Sequence, residues 1–286
     1  MRTAKIVLFT LLTLAGMALA GALAVVGGGL YNVGAAQQHW QPVYSLMEMA
    51  MRQSVRLHAR HIQVPATLDD PQLLARGAAC FRDKCVQCHG APGVAQEAIG
   101  KSMQPLPGPL MDAAQRWKPR ELYWTIRHGI RMSGMPAWQM HMADEDMWAV
   151  VAFLQKLPAM SPTQYGQAVQ PTSAPACQAP RAAPVPAVGA AVPMGDARRG
   201  KQALAQYACS ACHTIPGIAN SNSQVGPPLA GIARRSLIAG KLANTPDNLV
   251  LWITRTHEVD ARSAMPDMGV SAADARDMAA YLGTLD

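Results

Sequence analysis

The sequence predicts an all-α protein in which one membrane-spanning helix precedes two small helical domains. Three observations support this prediction. An uncharged apolar run extends from Ile6 to Tyr31, the motif Cys-x-x-Cys-His occurs twice, and a helical pattern precedes and follows each copy. The expected layout is an anchor over 1–36, a juxtamembrane helix over 37–69, a first domain over 70–160, a linker over 161–194 and a second domain over 195–286.

The apolar run is long enough to cross the hydrocarbon core of a bilayer, which is about 30 Å thick. Arg2 and Lys5 precede it, and the positive-inside rule places them in the cytoplasm. The rest of the chain then lies on the periplasmic side of a bacterial inner membrane. A cleaved secretion signal, with Ala18–Ala20 as its cleavage site, is the alternative. The run continues to Leu30, longer than the usual signal core, so a retained single-pass anchor is favoured.

The segment after the anchor has the pattern of a juxtamembrane helix. Much of it is apolar, and Arg52, Arg56 and Arg60 recur one helical turn apart. Such a helix lies at the lipid surface or packs on the first domain. A docking surface for a membrane partner is the alternative.

Each domain is expected to begin and end with a helix. In the first domain, Asp144 is the expected N-cap of the closing helix because an acidic side chain can accept hydrogen bonds from the first turn. Segment 161–194 is rich in Pro and Ala and is typical of an extended linker. The four predicted helices span Pro71–Asp83, Asp144–Leu157, Ala197–Tyr207 and Ser271–Leu285.

The repeated motif indicates covalent haem attachment. Its two thiols can bond the two vinyl groups of one haem, and the adjacent histidine can bind the iron. Structural zinc would require further Cys/His pairs, and a thioredoxin-like dithiol would require alternating strands and helices. The sequence therefore predicts two covalently bound c-type haems. The residues expected to hold them are Cys85, Cys88, His89, Cys209, Cys212 and His213.

The second axial ligand is expected to be methionine sulfur, which raises the reduction potential and closes the iron to substrates. Met135 and Met265 each stand in a short loop and precede a proline that restricts their backbone to extended geometry. The chain has 17 methionines, most of which are expected to fill the core. The neighbouring methionines are Met132, Met140, Met142 and Met268. The rival ligands are the single histidines His128, His141 and His257.

With these motifs, both domains resemble class I cytochromes c, an all-α family that holds haem in a crevice between its helices. The resemblance implies that each opening helix crosses the closing helix at a glycine. The corresponding residues are Gly77 and Phe81 against Phe153, and Gly200 and Leu204 against Tyr281.

The same resemblance implies a proline carbonyl that orients the ligating histidine. Gly226–Leu229 matches this pattern and gives the role to Pro227 in the second domain, as part of its haem-binding set. Gly108–Leu110 matches it less closely, so the role in the first domain is left open.

The second domain also resembles the cytochrome c domain fused to subunit II of bacterial haem–copper cytochrome c oxidases. This chain has one expected membrane span and no cysteine pair for a binuclear copper site, so it is not subunit II itself. The matching segments are Cys209–His213, Val225–Leu229, Asn244–Leu249, Trp252–Ile253 and Met265–Asp267.

Two cysteines remain outside the haem motifs. Cys80 and Cys177 could form a disulfide in an oxidising compartment. Two solitary thiols are the favoured interpretation.

These features together predict a membrane-anchored electron-transfer protein that is not an enzyme on its own. The net charge of +7 forms no dense basic stripe, which excludes nucleic acid as a partner. The expected role is to pass single electrons to a haem–copper terminal oxidase from a quinol-oxidising complex or a soluble cytochrome. The alternatives are an electron-accepting subunit of a periplasmic dehydrogenase and a di-haem peroxidase-type enzyme, which would need an open iron.

Overall fold

The computed structural model describes residues 2–170, Cys177 and 195–286. The chain forms two compact units that divide at residue 181. Helices dominate the described part of both units, which confirms the all-α prediction apart from one short hairpin and one isolated bridge.

Helix α1 spans Arg2–Gly27 and is exposed along its length. Its most apolar window has a mean hydropathy of 2.3. A transmembrane helix needs about 20 apolar residues. By length and composition α1 can therefore cross a membrane, a property that it shares with secretion signals.

Helix α2 spans Gln41–Ala59, within the predicted juxtamembrane segment. It is shorter than 37–69, and the chain from Arg60 to Asp70 forms turns and loops instead. Val55 and Ala59 are fully buried, and α2 packs on the first domain.

The first domain opens with helix α3 (Pro71–Cys80). Asp70 caps it by accepting hydrogen bonds from the backbone N–H groups of Gln72 and Leu73, at 2.7 and 3.2 Å. The α-helix was expected to run to Asp83. Instead, a π-helical turn over Phe81–Cys85 leads directly into α4 (Val86–His89).

The rest of the first domain consists of helices joined by loops. Two 3₁₀ turns, Trp138–Met140 and Leu157–Ala159, flank the closing helix α8. The helices are α5 (Ala98–Lys101), α6 (Ala113–Arg116), α7 (Pro119–His128), α8 (Asp144–Lys156) and α9 (Pro162–Ala168).

Helices α3 and α8 cross where Gly77 meets Ala149. A Cβ added at Gly77 would overlap the Ala149 carbonyl and lie 2.9 Å from Phe153 Cβ, so only glycine fits. The rings of Phe81 and Phe153 pack with centroids 5.5 Å apart. The crossing expected from the resemblance is therefore present.

Asp144 is not the N-cap of α8. The cap is Ala143, whose side chain accepts no hydrogen bond, and Asp144 is the first helical residue. Its carboxylate pairs with Arg127 of α7 instead. As the first helical residue, Asp144 lies one position past the cap, so its side chain cannot act as the N-cap.

The first domain also extends beyond the predicted boundary at residue 160. Tyr165 of α9 is 3 % exposed and packs against Phe81, with ring centroids 6.2 Å apart. The expectation of two solitary thiols is wrong, because Cys80 and Cys177 form a disulfide with Cα atoms 4.5 Å apart. Helix α9 carries the chain back to Phe81, the residue that follows Cys80. Apart from Cys177, residues 171–194 of the predicted linker lie outside the described residues.

The second domain opens with α10 (Ala197–Gln206) and closes with α13 (Ala272–Leu282), close to the predicted bounds. Strands β1 (Leu237–Ile238) and β2 (Leu242–Ala243) form the antiparallel hairpin. The remaining elements are α11 (Pro246–Thr254), α12 (Thr256–Val259) and 3₁₀ turns over Cys209–Ala211 and Ile232–Arg234.

Helices α10 and α13 repeat the crossing of the first domain. A Cβ added at Gly200 would overlap the carbonyl of Asp277, so the closest approach is at Asp277 and not at Tyr281. Tyr281 lies one turn further along α13, and its hydroxyl donates to Pro216 O at 2.7 Å. Phe153 likewise lies one turn beyond Ala149, so the two crossings have the same layout.

Candidate haem-binding sites

The five residues predicted for the second haem line one cavity of about 430 Å³. Its other walls are mainly apolar and include Leu204, Trp252 and Met278. A largely apolar cavity with a few convergent donor atoms suits a flat, apolar cofactor. The predicted residues that line it are Cys209, Cys212, His213, Pro227 and Met265.

A tight turn after α10 brings the second motif to this cavity. Ala208 adopts left-handed backbone geometry, with φ of 55°, and the 3₁₀ turn begins at Cys209. The backbone N–H of His213 then donates to Cys209 O at 2.9 Å. Burial raises the pKa of the Cys209 thiol, which favours its neutral form.

Pro227 makes the contact with His213 that the resemblance implies. Its carbonyl oxygen lies 2.8 Å from Nδ1 of His213. A hydrogen bond at Nδ1 fixes the ring orientation and leaves Nε2 available for a metal. The preceding Gly226 donates its backbone N–H to Cys212 O at 2.7 Å, which holds this loop beside the motif.

Gly226 is a site residue that the sequence analysis did not identify. A Cβ at this position would lie 2.5 Å from Cε1 and 2.7 Å from Nδ1 of His213. Only glycine therefore leaves space for the imidazole. Its place directly before Pro227 is the one sequence signal that could have identified it.

Met265 lies in a loop held by its neighbours. Its backbone N–H donates to Ser263 Oγ at 3.2 Å. His257 spans the loop, with Nδ1 3.1 Å from Asp267 Oδ2 and Nε2 3.2 Å from Ser263 O. Because both ring nitrogens have partners, His257 supports the loop and does not act as the rival ligand.

In the first domain, a backbone carbonyl again holds the motif histidine. His89 Nδ1 lies 2.7 Å from Gly108 O, which fills the role that the sequence left open. Gln96 ties this loop to the motif by donating to Cys88 O at 2.7 Å and to Pro107 O at 2.5 Å. Burial lowers the pKa of His89, and the bond to Gly108 opposes that effect.

The thiol of Cys85 is held in its neutral form. Burial, together with the neighbouring Cys88, raises its pKa to about 12. Thiols that bind metals or act in redox exchange have lowered pKa values. Cys85 is therefore a protonated thiol at neutral pH.

Met135 stands in the same kind of loop as Met265. Its backbone N–H donates to Ser133 Oγ at 3.2 Å, and its carbonyl accepts from Ile130 N at 3.2 Å. Gly129, with φ of 64°, allows the close approach because a Cβ there would lie 2.6 Å from Met135 O. The side chain of Met135 is half-buried against the domain core.

The other candidate histidines and methionines of the first domain lie in different surroundings from Met135. The ring of His128 packs on Trp124 at 5.0 Å and that of His141 on Trp138 at 6.2 Å. Met142 is buried in the core, and Met132 is 80 % exposed. Met103, which the sequence analysis did not consider, places its sulfur against Gly134, next to Met135.

Each domain matches a different family model. Residues 72–154 match the family described as cytochrome c oxidase, cbb3-type, subunit III, and residues 197–286 match the family described as cytochrome c. Cytochrome c oxidase subunit 2 of Alkalihalophilus pseudofirmus is 30 % identical over 90 residues, which are 31 % of this chain. The matched region spans only 25 % of that relative's length.

Proposed function

We propose, from the premise that the chain contains two cytochrome c-type domains, that it is a membrane-anchored di-haem cytochrome that passes single electrons in a respiratory chain. Cytochrome c domains imply covalently bound haem c and electron transfer. A bound haem iron would supply the reversible one-electron change. The matching layout of the two sites, with a carbonyl-held histidine and a methionine loop in each, carries this proposal.

The residues of each site would hold, orient and shield the group. The cysteines would anchor it through thioether bonds, and the carbonyls of Gly108 and Pro227 fix the planes of the two imidazoles. The mainly apolar walls of the second cavity would limit the access of water to a bound group. Met135 and Met265 would each supply a sulfur ligand and leave no open position for a reactant, which suits electron transfer and not catalysis.

The proposed acceptor is a haem–copper terminal oxidase. Two observations support it: the first domain matches a model named for an oxidase subunit, and a curated relative is itself named as an oxidase subunit. We infer that α1 is retained as an anchor in a bacterial inner membrane and that both domains face the periplasm. The donor would be a quinol-oxidising complex or a soluble cytochrome.

Alanine substitutions test the axial ligands. Met135→Ala and Met265→Ala should each convert one haem to a high-spin form that binds carbon monoxide when reduced, while the unaltered protein binds none. Met103→Ala is the matched control in the first domain and Met268→Ala in the second. Loss of the low-spin spectrum in Met103→Ala but not in Met135→Ala would reject the assignment of Met135. Rapid carbon monoxide binding by the unaltered protein would favour an enzyme.

Isolation of the native membrane complex tests the partner. The chain, extracted in a mild detergent, should co-purify with subunits that contain haem and copper and consume oxygen. Recovery with a periplasmic dehydrogenase instead would overturn the oxidase as acceptor. It would leave the electron-transfer role itself intact.

A further inference from the structure

Helix α2 packs on the first domain along one side only. Val55 and Ala59 are 1 % and 0 % exposed on that side. The guanidinium of Arg52 lies over the Trp117 ring at 5.3 Å, and His58 stacks on Trp124 with centroids 5.6 Å apart. These contacts fix α2 to the domain as a rigid extension.

The opposite side of α2 is an exposed apolar stripe, formed by Leu46, Met49, Ala50 and Leu57. Their spacing of i, i+3, i+4 and i+11 places them on one helical face, half a turn away from Val55. Leu46, Met49 and Leu57 are 66 %, 61 % and 54 % exposed. The face is apolar except for Gln53, which is exposed between Ala50 and Leu57. A largely apolar exposed face of this kind marks a contact with another apolar phase or with a partner.

Cations border the apolar stripe. Arg56 and Arg60 flank it, while the one acidic residue of α2, Glu48, is neutralised by Arg52 at 2.8 Å. An apolar face edged by arginine is the pattern of a helix that lies in the interface of a membrane containing anionic lipid. Charge complementarity therefore favours a lipid surface as the occupant of this face.

Chain connectivity places α2 within reach of a bilayer. Helix α1 ends at Gly27 and α2 begins at Gln41. Fully extended, residues 28–40 span at most about 45 Å. Trp40, which is 64 % exposed, and Tyr44 lie at the start of α2, and such aromatic residues are enriched at membrane–water interfaces.

We propose that the apolar stripe of α2 lies in the headgroup region of the bilayer that α1 crosses. This inference rests on α1 being a retained anchor. Since the other side of α2 is fixed to the first domain, the contact would hold that domain at a set height and orientation on the membrane. The first domain would then be presented to partners that are themselves in the membrane.

Methionine oxidation tests the contact in the full-length protein. The haem-loaded chain is placed in nanodiscs of mixed phosphatidylcholine and phosphatidylglycerol and treated with a water-soluble oxidant. Sulfoxide formation is then followed by peptide mass spectrometry. Met49 should be oxidised several-fold more slowly than Met132, an exposed methionine of the first domain. Equal rates would overturn the proposal, because the two are comparably exposed in the protein itself.

A double variant separates lipid contact from other causes of protection. Leu46→Gln with Leu57→Gln changes only exposed side chains, so the haem spectrum should be unchanged while Met49 oxidation rises toward that of Met132. The matched control is Ile99→Gln, because Ile99 lies on the first domain and is 52 % exposed. Continued protection of Met49 in the double variant would overturn the role of the stripe.

Two further outcomes are distinct. If Met49 reacts freely in lipid nanodiscs but is protected in native membranes, a protein partner covers the stripe, which overturns the lipid proposal. If the intact mass of the mature chain lacks α1, the anchor fails, and with it the premise of the proposal. The Met135 and Met265 variants would still test the electron-transfer role independently.

Discussion

Gly226 has no side chain, and this leaves the space in which the His213 ring lies. The His213 ring occupies the volume that a Cβ would fill, with Cε1 only 2.5 Å from the Cβ position. The ring cannot move freely, because Pro227 O holds Nδ1 at 2.8 Å. Gly226 and Pro227 therefore act together to set the plane of the imidazole.

Gly226→Ala should displace the His213 ring and weaken its bond to a bound iron. Overpacking of this kind costs about 1–3 kcal/mol. The expected result is a shifted reduction potential and a high-spin fraction in the second haem, measured by spectroelectrochemistry. Gly283→Ala is the control, since a Cβ there makes only ordinary contacts at 3.4 Å. An unchanged second haem in Gly226→Ala would contradict this account.

His257 is arranged to stabilise the Met265 loop as an imidazolium. Its two ring nitrogens face a carboxylate and a carbonyl, both of which can only accept, so both bonds form when the ring carries two protons. The hydrogen bond to Asp267, aided by Ser263 O, raises the pKa of His257. The resulting stabilisation is complete below the ordinary histidine pKa and is lost as the pH rises through the raised value.

Asp267→Asn should lower the pKa of His257, which histidine-selective NMR of the reduced protein measures directly. Glu258→Gln is the charge-matched control, because Glu258 is adjacent in sequence and pairs with Arg255. The pKa of His257 should fall more in Asp267→Asn than in Glu258→Gln. Equal shifts would mean that the net charge near His257, and not its hydrogen bond to Asp267, sets the pKa of His257.

Sequence reasoning at this scale succeeded where a motif fixes local geometry. The contact between Pro227 and His213 was expected from the resemblance of the Gly226–Leu229 segment to class I cytochromes c. Gly108 O, the position of Met103 and the bridge made by His257 depend instead on how the loops fold in three dimensions. No spacing along the chain encodes those contacts, so they required the structure.

At the scale of elements, the helices were predictable and their ends were less so. The opening and closing helices were predicted to within a few residues, and the structure adds two caps that were not predicted, Asp70 and Ser271. Asp144 has the same sequence signal, yet its carboxylate pairs with Arg127. The capping signal in the sequence was therefore misplaced by one residue.

The extent of the first domain was underestimated for a similar reason. Prolines and alanines after residue 160 suggested a linker, but Tyr165 packs into the core and Arg82 donates to Val169 O at 2.7 Å. Cys177 is fixed by its disulfide and by its backbone N–H bond to Asp83 Oδ2 at 2.9 Å. The disulfide therefore fastens the C-terminal end of this domain to its opening helix.

Removal of the disulfide should destabilise the first domain selectively. The bond joins residues 97 apart in sequence. A disulfide that closes a loop of that size stabilises the folded state by about 2–5 kcal/mol. Cys80→Ala with Cys177→Ala should lower the denaturant midpoint of the first domain, followed by circular dichroism and by tryptophan fluorescence. Four of the six tryptophans lie in this domain: Trp117, Trp124, Trp138 and Trp148. The haem motif cysteines are untouched. An unchanged midpoint would show that the crosslink does not stabilise the domain.

At the scale of the whole molecule, the two domains are separate units with similar plans and different details. Each has its own buried core and its own glycine-mediated helix crossing. The methionine loop of the first domain is closed by a backbone bond to Ile130, whereas that of the second relies on the ionisable His257. We therefore expect pH to affect the second site more than the first.

Cutting the chain between the domains tests the anchor, its sidedness and domain independence together. A specific protease site placed within residues 182–190 leaves Cys177 with the first domain. Protease added to intact spheroplasts should release a haem-staining second domain, while the first haem domain sediments with the membranes. The unaltered chain, treated in the same way, is the control. Release of both domains would mean that α1 is not retained, and cleavage only after the membrane is opened would place the domains on the cytoplasmic side.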